Sequence, residues 1–540
     1  MGRTILATVA LVAAMLVAPP ADASPPALAG APRAVVSIDW SMPDRFGLDE
    51  DGDGLVDLPN TTEYVHGRAP GSCPSGCRRA VFPVRVDALG VVTAPTTAGS
   101  RVRLPVASYE WRVRGGGYDL RRWTSGPGLD LLLPEGRFDV DLTLRARVPF
   151  GTISVRGGGP VVVDDLLVVA LGDSYASGDG NPEVADSGRG AQWAEGGIDP
   201  TSDGDHAAAR RSTVAWPARV AMALERDDPR TSVTFVSLAT SGATIDRGVV
   251  GARSGRPAQI DRLPALVGDR DVDVALVSVG GNDIGFSEVV RSLVDADPLL
   301  DPICYDLDVQ QTLDAARDGD WTRSTTARYD PPFGLRCVET RRDGKALAGL
   351  AGLPAAFDRM ATSLRPFDIG RVLLTGYPDP SGGGACGEIV GDAVPWPRLH
   401  EIDRPEAREG IARILDPLNA AVAAAAGRHG WTFVPGIAEA FADGHGYCAA
   451  WPDYGYPEDF HSRPSFLRSR AEWPEGWYRN PGIEEALVEG GDGVSWYRTA
   501  AQSGVLQGPN ALYTAGTMHP NELGHAAIAG LVLGVLGAGD

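Results

Sequence analysis

Residues 161–178 read VVVDDLLVVALGDSYASG. The stretch opens with an apolar run, interrupted only by Asp164 and Asp165, and ends in a turn of small and polar residues. A continuous apolar run that stops at a glycine predicts a strand buried on both faces, as in a parallel sheet covered by helices. The turn Gly172-Asp173-Ser174 then lies at the carboxyl end of that sheet, where α/β proteins build their sites. The same rhythm continues downstream. Residues 233–238, 272–279 and 371–375 read as further apolar strands, and 215–226, 354–364 and 411–426 as helices. This alternation predicts an α/β domain over 161–540 with helices on both faces of a parallel sheet. Two long regions, near 301–345 and 386–515, do not read as regular βα units, and segments of that length are usually functional or separately stabilised. Six of the twelve tryptophans (396, 431, 451, 473, 477 and 496) lie in the second region, which suits a substrate wall and the filling of an irregular subdomain equally.

Upstream the texture changes. Between residues 34 and 159 short apolar or alternating runs are separated by Gly and Pro, and 35–40, 80–86, 107–113, 129–133 and 138–148 read as strands. No helical period of useful length interrupts them, so residues 24–160 are expected to form a small all-β sandwich of immunoglobulin-like kind. Residues 1–23 carry Arg3, an apolar run over 5–17 and the small residues Ala21-Asp22-Ala23, the pattern of a secretory signal peptide. The run stops at Pro19-Pro20, short of the ~20 apolar residues that cross a bilayer. A secreted protein without a transmembrane segment is expected.

The chain of 540 residues has 49 Lys+Arg against 70 Asp+Glu, a net charge of −21. That balance repels phosphate backbones, so no nucleic-acid partner is expected, and the protein is read as a monomer. Cys73, Cys77, Cys304, Cys337, Cys386 and Cys448 form an even set, which in an exported chain reads as disulfides. The sequence does not choose among the pairings. Neighbours (73–77, 304–337, 386–448) are favoured because each pair brackets a loop-like stretch, and a zinc site at Cys73 and Cys77 lacks a second ligand pair. Asp49, Asp51, Asp53 and Asp57, with Gly54 at the sixth position, match the first half of a calcium loop. Asn60 stands where a bidentate Glu would be expected, so a structural calcium and a solvated acidic turn both fit.

Four segments carry chemistry. Ser174 at a tight strand-to-helix turn suits a nucleophile, although Asp173 or Ser174 there also serves as a helix cap. In Ser278-Val279-Gly280-Gly281-Asn282-Asp283 the glycines permit close approach, and Asn282 offers a neutral donor to a developing oxyanion; the same residues make an ordinary turn. Leu238-Ala239-Thr240-Ser241-Gly242-Ala243 follows another strand and presents the Gly242 amide. Finally, His519 precedes an apolar C-terminal helix that Asn521 is placed to cap, and there it can take the serine proton. His525 lies inside the helix pattern and reads as structural.

Taken in order, Ser174, Gly242, Asn282 and His519 make residues from about 165 to 540 resemble the SGNH (GDSL-type) hydrolase superfamily. The resemblance implies a flavodoxin-like three-layer α/β/α fold and an ester hydrolase such as an esterase, lipase, phospholipase or carbohydrate acetylesterase, acting on a small-molecule or lipid ester. It implies Ser174 as nucleophile, His519 as base, the Ser174 and Gly242 amides with Asn282 as oxyanion hole, and no cofactor for catalysis. The variant Gly-Asp-Ser-Tyr-Ala-Ser-Gly is similar to the secreted actinobacterial branch, whose members often carry three disulfides. One position departs. The family usually places Asp three residues before the histidine, and here that residue is Gly516, with nothing acidic between Asp492 and Glu522. The imidazole is therefore expected to be oriented by a main-chain carbonyl around Gly516, or by a carboxylate from elsewhere. A binding protein with a decayed hydrolase domain is the competing reading, and Gly516 is its only support.

Overall fold

The computed structural model describes residues 33–42, 82–95, 100–148, 151–182, 209–267, 270–285, 323–330, 334–341, 349–380, 411–447, 495–498 and 516–537, with residues 193 and 503. The signal segment, the acidic loop Asp49–Asp57 and Cys73, Cys77, Cys304, Cys386 and Cys448 lie outside them. Cys337 belongs to a strand described by its main chain alone. Contacts divide the described residues into two units, one up to 40 with 85–131 and 136–162, the other from 163 onward with 41–84 and 132–135.

The first unit is built of strands. β1 (Arg33–Ser41), β2 (Phe82–Pro95), β3 (Arg101–Arg103) and β6 (Gly128–Leu133) share one sheet. β4 (Val106–Gly115), β5 (Tyr118–Thr124), β7 (Gly136–Val148) and the first half of β8 (Gly151–Gly172) run in the order β5-β4-β7-β8. The side-chain period is two: Phe138, Val140, Leu142, Leu144 and Ala146 of β7 are buried, while the residues between them face outward. Trp111 of β4 is fully buried and its indole N–H donates to Thr124 Oγ1 at 2.9 Å. The β5 sequence YDLRRWT is too charged to read as a strand. It forms one because it ends the sheet and pairs its outward charge, Asp119 with Arg112 at 2.8 and 2.9 Å.

The second unit is mixed α/β. β9 (Thr231–Ser237), β10 (Val272–Ser278), the hairpin β11 (Arg323–Asp330) and β12 (Gly334–Arg341), β13 (Ile369–Thr375) and β14 (Thr432–Val434) follow in the chain. The second half of β8 joins β9, β10, β13 and β14 in an all-parallel arrangement ordered β9-β8-β10-β13-β14. In this half of β8 both faces are covered: Leu167, Val168, Val169, Ala170 and Leu171 are each at most 1% exposed. Each fully buried Val or Leu contributes about 1.5–3 kcal/mol relative to exposure. The acid within the apolar run has partners: Asp165 accepts from Ser232, from Thr234 Oγ1 at 2.6 Å and from Arg270 Nη2 at 2.6 Å.

Three of the covering helices, Trp216–Asp227, Leu353–Leu364 and Asp416–His429, start with Pro in the first two positions, where its missing N–H costs nothing. Residues 411–426, expected as one α-helix, instead make a π-turn over Ile411–Leu415 before the α-helix begins, because Pro417 cannot donate to the turn behind it. Residues 411–447, inside the stretch read as irregular, contain that helix, β14 and the helix Ile437–Ala442. The final helix, Glu522–Gly537, is capped by Asn521, whose Oδ1 accepts from Gly524 N–H at 3.0 Å.

Candidate active site

Gly172 closes β8 at φ +129°, and a Cβ there would come 2.0 Å from the Ser278 carbonyl oxygen, so the position demands glycine. Gln259 clasps the same residue from both sides. Its Oε1 accepts from Gly172 N–H and its Nε2 donates to the Gly172 carbonyl, each at 2.8 Å. The chain then turns into the short helix Ser174–Ser177. Asp173 caps it, Oδ1 accepting from Tyr175 N–H at 3.0 Å. Capping thus falls to Asp173, and Ser174 occupies the first helical position, 7% exposed.

Tyr377, just past β13, donates its hydroxyl to Asp173 Oδ2 and accepts from Gly281 N–H at 2.7 Å. One phenol therefore joins the serine turn to the asparagine turn. Burial lifts the Asp173 carboxyl to about 7, against the pull of the Tyr377 and Tyr175 hydrogen bonds. Asn282 Nδ2 donates to the Ala243 carbonyl at 3.1 Å. Asp283, also lifted to about 7 by burial, takes Ile245 N–H at 3.0 and 3.1 Å. These contacts fasten the Gly242 turn to the Asn282 turn, and Thr240 N–H donates to the Gly172 carbonyl at 3.0 Å.

His519 reaches the serine turn through Tyr175. The Tyr175 hydroxyl donates to the Met518 carbonyl at 2.6 Å, and its ring centroid lies 5.0 Å from that of His519. Arg498, fully buried, braces the same junction. Its guanidinium donates to the Gly180 carbonyl at 3.1 Å, to Asn181 Oδ1 at 2.8 Å and to Glu522, while its main chain bonds Met518 and His519 at 2.9 and 2.8 Å. His519 Nδ1 stands 3.1 Å from the Thr517 carbonyl. A carbonyl only accepts, so the proton resides on Nδ1 and Nε2 presents its lone pair. Nε2 is buried and has no hydrogen-bond partner among the described residues. Burial holds the imidazole below its ordinary pKa, opposed by the charge of Asp179. Asp179 itself accepts from Ser241 Oγ at 2.6 Å and Arg210 Nη1 at 3.0 Å. Gly516 has φ +95°, a conformation that strains any residue with a Cβ, and its carbonyl accepts from His519 N–H at 3.1 Å.

Ser174, Gly242, Asn282 and His519 are thus gathered beyond the carboxyl ends of the parallel strands. His525, by contrast, is a buried helix residue whose Nδ1 accepts from Trp216 N–H at 3.2 Å. Trp431 and Trp496 are partly buried against the core, and Trp496 stacks on His445 with centroids 3.7 Å apart; the other four tryptophans of that region lie outside the described residues. Sequence reasoning did not find Tyr377, Gln259, Asp179 or Arg498. Only Tyr377 had a local signal, since it follows an apolar strand as the other site residues do. Among the described residues, no three His, Cys, Asp or Glu side chains could hold a metal ion, and no helix is long and apolar enough to cross a membrane.

No protein-family model matches the chain, and no curated protein matches it. It is similar in structure to an extracellular lipase from Streptomyces rimosus (17% identity, 68% of this chain and 99% of that chain covered, TM-score 0.35). It is also similar to a phospholipase A1 from Streptomyces albidoflavus NA297 (19% identity, 68% and 98% covered, TM-score 0.37). A third similar structure is a carbohydrate acetylesterase family member from Sinorhizobium meliloti (14% identity, 50% and 81% covered, TM-score 0.21).

Proposed function

We propose that this chain is an exported serine ester hydrolase of SGNH type, cleaving carboxylic esters through an acyl-enzyme on Ser174. The observation that carries the reading is His519, with Nδ1 on a main-chain carbonyl and Nε2 buried beside the Ser174 turn. The parallel order β9-β8-β10-β13-β14 supports a flavodoxin-like core, since counted along the chain it is 2-1-3-4-5. In this proposal the strands before residue 160 form an appended immunoglobulin-like sandwich.

Ser174 Oγ attacks the ester carbonyl carbon as His519 Nε2 takes its proton. The Thr517 carbonyl, accepting from Nδ1–H, holds the ring and stabilises the imidazolium. The Ser174 and Gly242 amides with Asn282 Nδ2 receive the oxyanion. His519 then returns the proton to the leaving alkoxide, and the bond to it breaks. A water deprotonated by His519 releases the acid in the second half. Apart from that water and the ester, every group in these steps comes from this chain. Asn282→Ala is expected to lower kcat by roughly 10²–10³.

The test is hydrolysis of p-nitrophenyl esters from C2 to C16 by the mature protein beside Ser174→Ala. Turnover that disappears in the variant is expected, and the chain-length optimum separates an acetylesterase from a lipase. Equal rates in both proteins, or no turnover of these esters, phospholipids or acetylated glycans by the folded protein, would overturn the reading.

A further inference from the structure

Residues 244–256 lead away from the Gly242 turn and come back to it. Arg253 and Arg256 exchange main-chain hydrogen bonds at 3.0 and 2.9 Å across Ser254 and Gly255. Both central residues have positive φ, +51° and +81°, the signature of a tight primed turn. That turn presents the Arg253 side chain to residues 241–242. Its Nη1 donates to the Ser241 carbonyl at 3.2 Å, and a Cβ built on Gly242 would meet its Nη2 at 2.5 Å.

Among the described residues no acid neutralises the charge there. Arg253 is partly buried, and no carboxylate of the described residues pairs with it. Burial and the like charges of Arg256 and Arg247 push its pKa below the usual guanidinium value. Charged groups taken out of water are ordinarily paired, and this chain has acids to spare at −21. A guanidinium with no carboxylate partner among the described residues acts on another group.

That partner is a peptide group. The carbonyl that Arg253 grips belongs to the peptide whose N–H is that of Gly242, and in a trans peptide these two groups point in opposite directions. A cationic donor on the carbonyl polarises the amide and strengthens the donor on its far side. We infer that Arg253 is a positioning residue of the oxyanion hole, aiming and polarising the Gly242 N–H toward the oxygen that becomes charged during ester cleavage. The inference rests on the proposal that Gly242 is an oxyanion donor. Its consequence is specific: the contribution of Arg253 appears when the tetrahedral oxyanion forms, and ground-state binding of a neutral ester is little affected.

The experiment uses the mature protein with p-nitrophenyl butyrate, a neutral ester, and butaneboronic acid, which forms a tetrahedral anion on a reactive serine. Arg253→Met, Arg253→Lys, Arg247→Met and Ser174→Ala are compared. Arg253→Met is expected to lower kcat about tenfold, less than outright loss of a donor, with KM within about twofold. The boronate inhibition constant should rise in parallel with the loss in kcat. Arg253→Lys should recover part of both, and Arg247→Met, which alters the charge without the contact, should leave both near wild type. Melting temperatures are read alongside, and should Arg253→Met not fold, the partial loss in Arg253→Lys with its raised boronate constant carries the test. Unchanged kcat in Arg253→Met, a loss confined to KM, or an equal loss in Arg247→Met would each overturn the inference while inactive Ser174→Ala leaves the site intact. If Ser174→Ala keeps the wild-type rate, the reading of the site itself falls, and the role of Arg253 with it.

Discussion

The serine turn and the histidine loop are built on different principles. Around Ser174 nearly every residue is committed by side-chain chemistry: Asp173 caps, Gln259 clasps Gly172, and Tyr377 bridges to Gly281. Around His519 the main chain carries the geometry. The Thr517 carbonyl holds Nδ1, the Gly516 carbonyl holds the His519 amide, and the Arg498 main chain pairs with both Met518 and His519. A nucleophile needs an exact turn, which particular residues must enforce. A base needs only one acceptor on its far nitrogen, and any well-placed carbonyl supplies it. Glycine at position 516 therefore leaves the orientation of the ring in place.

That contrast can be broken at several points. The largest effect is expected for His519→Gln, which removes the proposed base on either account of its orientation; kcat should fall by roughly 10⁴ or more in p-nitrophenyl ester assays. Next is Tyr377→Phe, which strands Asp173 Oδ2 and the Gly281 amide in the interior. A stability loss of about 1–3 kcal/mol in urea unfolding is expected, together with a drop in kcat. An unchanged midpoint would mean that the serine turn does not depend on this bridge. Gly516→Asp introduces an acid three residues before His519, yet the backbone there sits at φ +95°. The variant should lose about 1–3 kcal/mol and gain no activity; a gain would show that the carbonyl is a poor substitute for a carboxylate.

The smallest effect concerns pH. Burial lowers the His519 pKa and the charge of Asp179 raises it, so Asp179→Asn removes the opposing influence. The acidic limb of kcat/KM, where the base is lost to protonation, should already lie below the ordinary histidine range in the wild type. It should move further down in the variant, as read from a pH–rate profile.

Most of the α/β unit was legible because its signals are local. Buried parallel strands are continuous apolar runs, and 233–238, 272–279 and 371–375 match β9, β10 and β13 to within two residues. The four residues proposed for the chemistry stand out for the same reason, each lying directly after such a run or just before the last helix. Gln259 and Arg498 act on partners 87 and 317 residues away, and no pattern along the chain announces such contacts. Arg253 acts on a residue 12 positions off, yet its role depends on a turn that folds it back. β5 was missed because an edge strand can carry charge on the face that a buried strand cannot.

The central claim is that Ser174 is a nucleophile activated by a histidine that needs no carboxylate. Incubation with diethyl p-nitrophenyl phosphate, followed by intact-mass and peptide mass spectrometry, tests it most directly. A single diethylphosphoryl adduct on Ser174, formed at near wild-type rate in Asp179→Asn and almost absent in His519→Gln, is the predicted result. Labelling elsewhere, no labelling of the folded protein, or a rate that collapses in Asp179→Asn as it does in His519→Gln would contradict it.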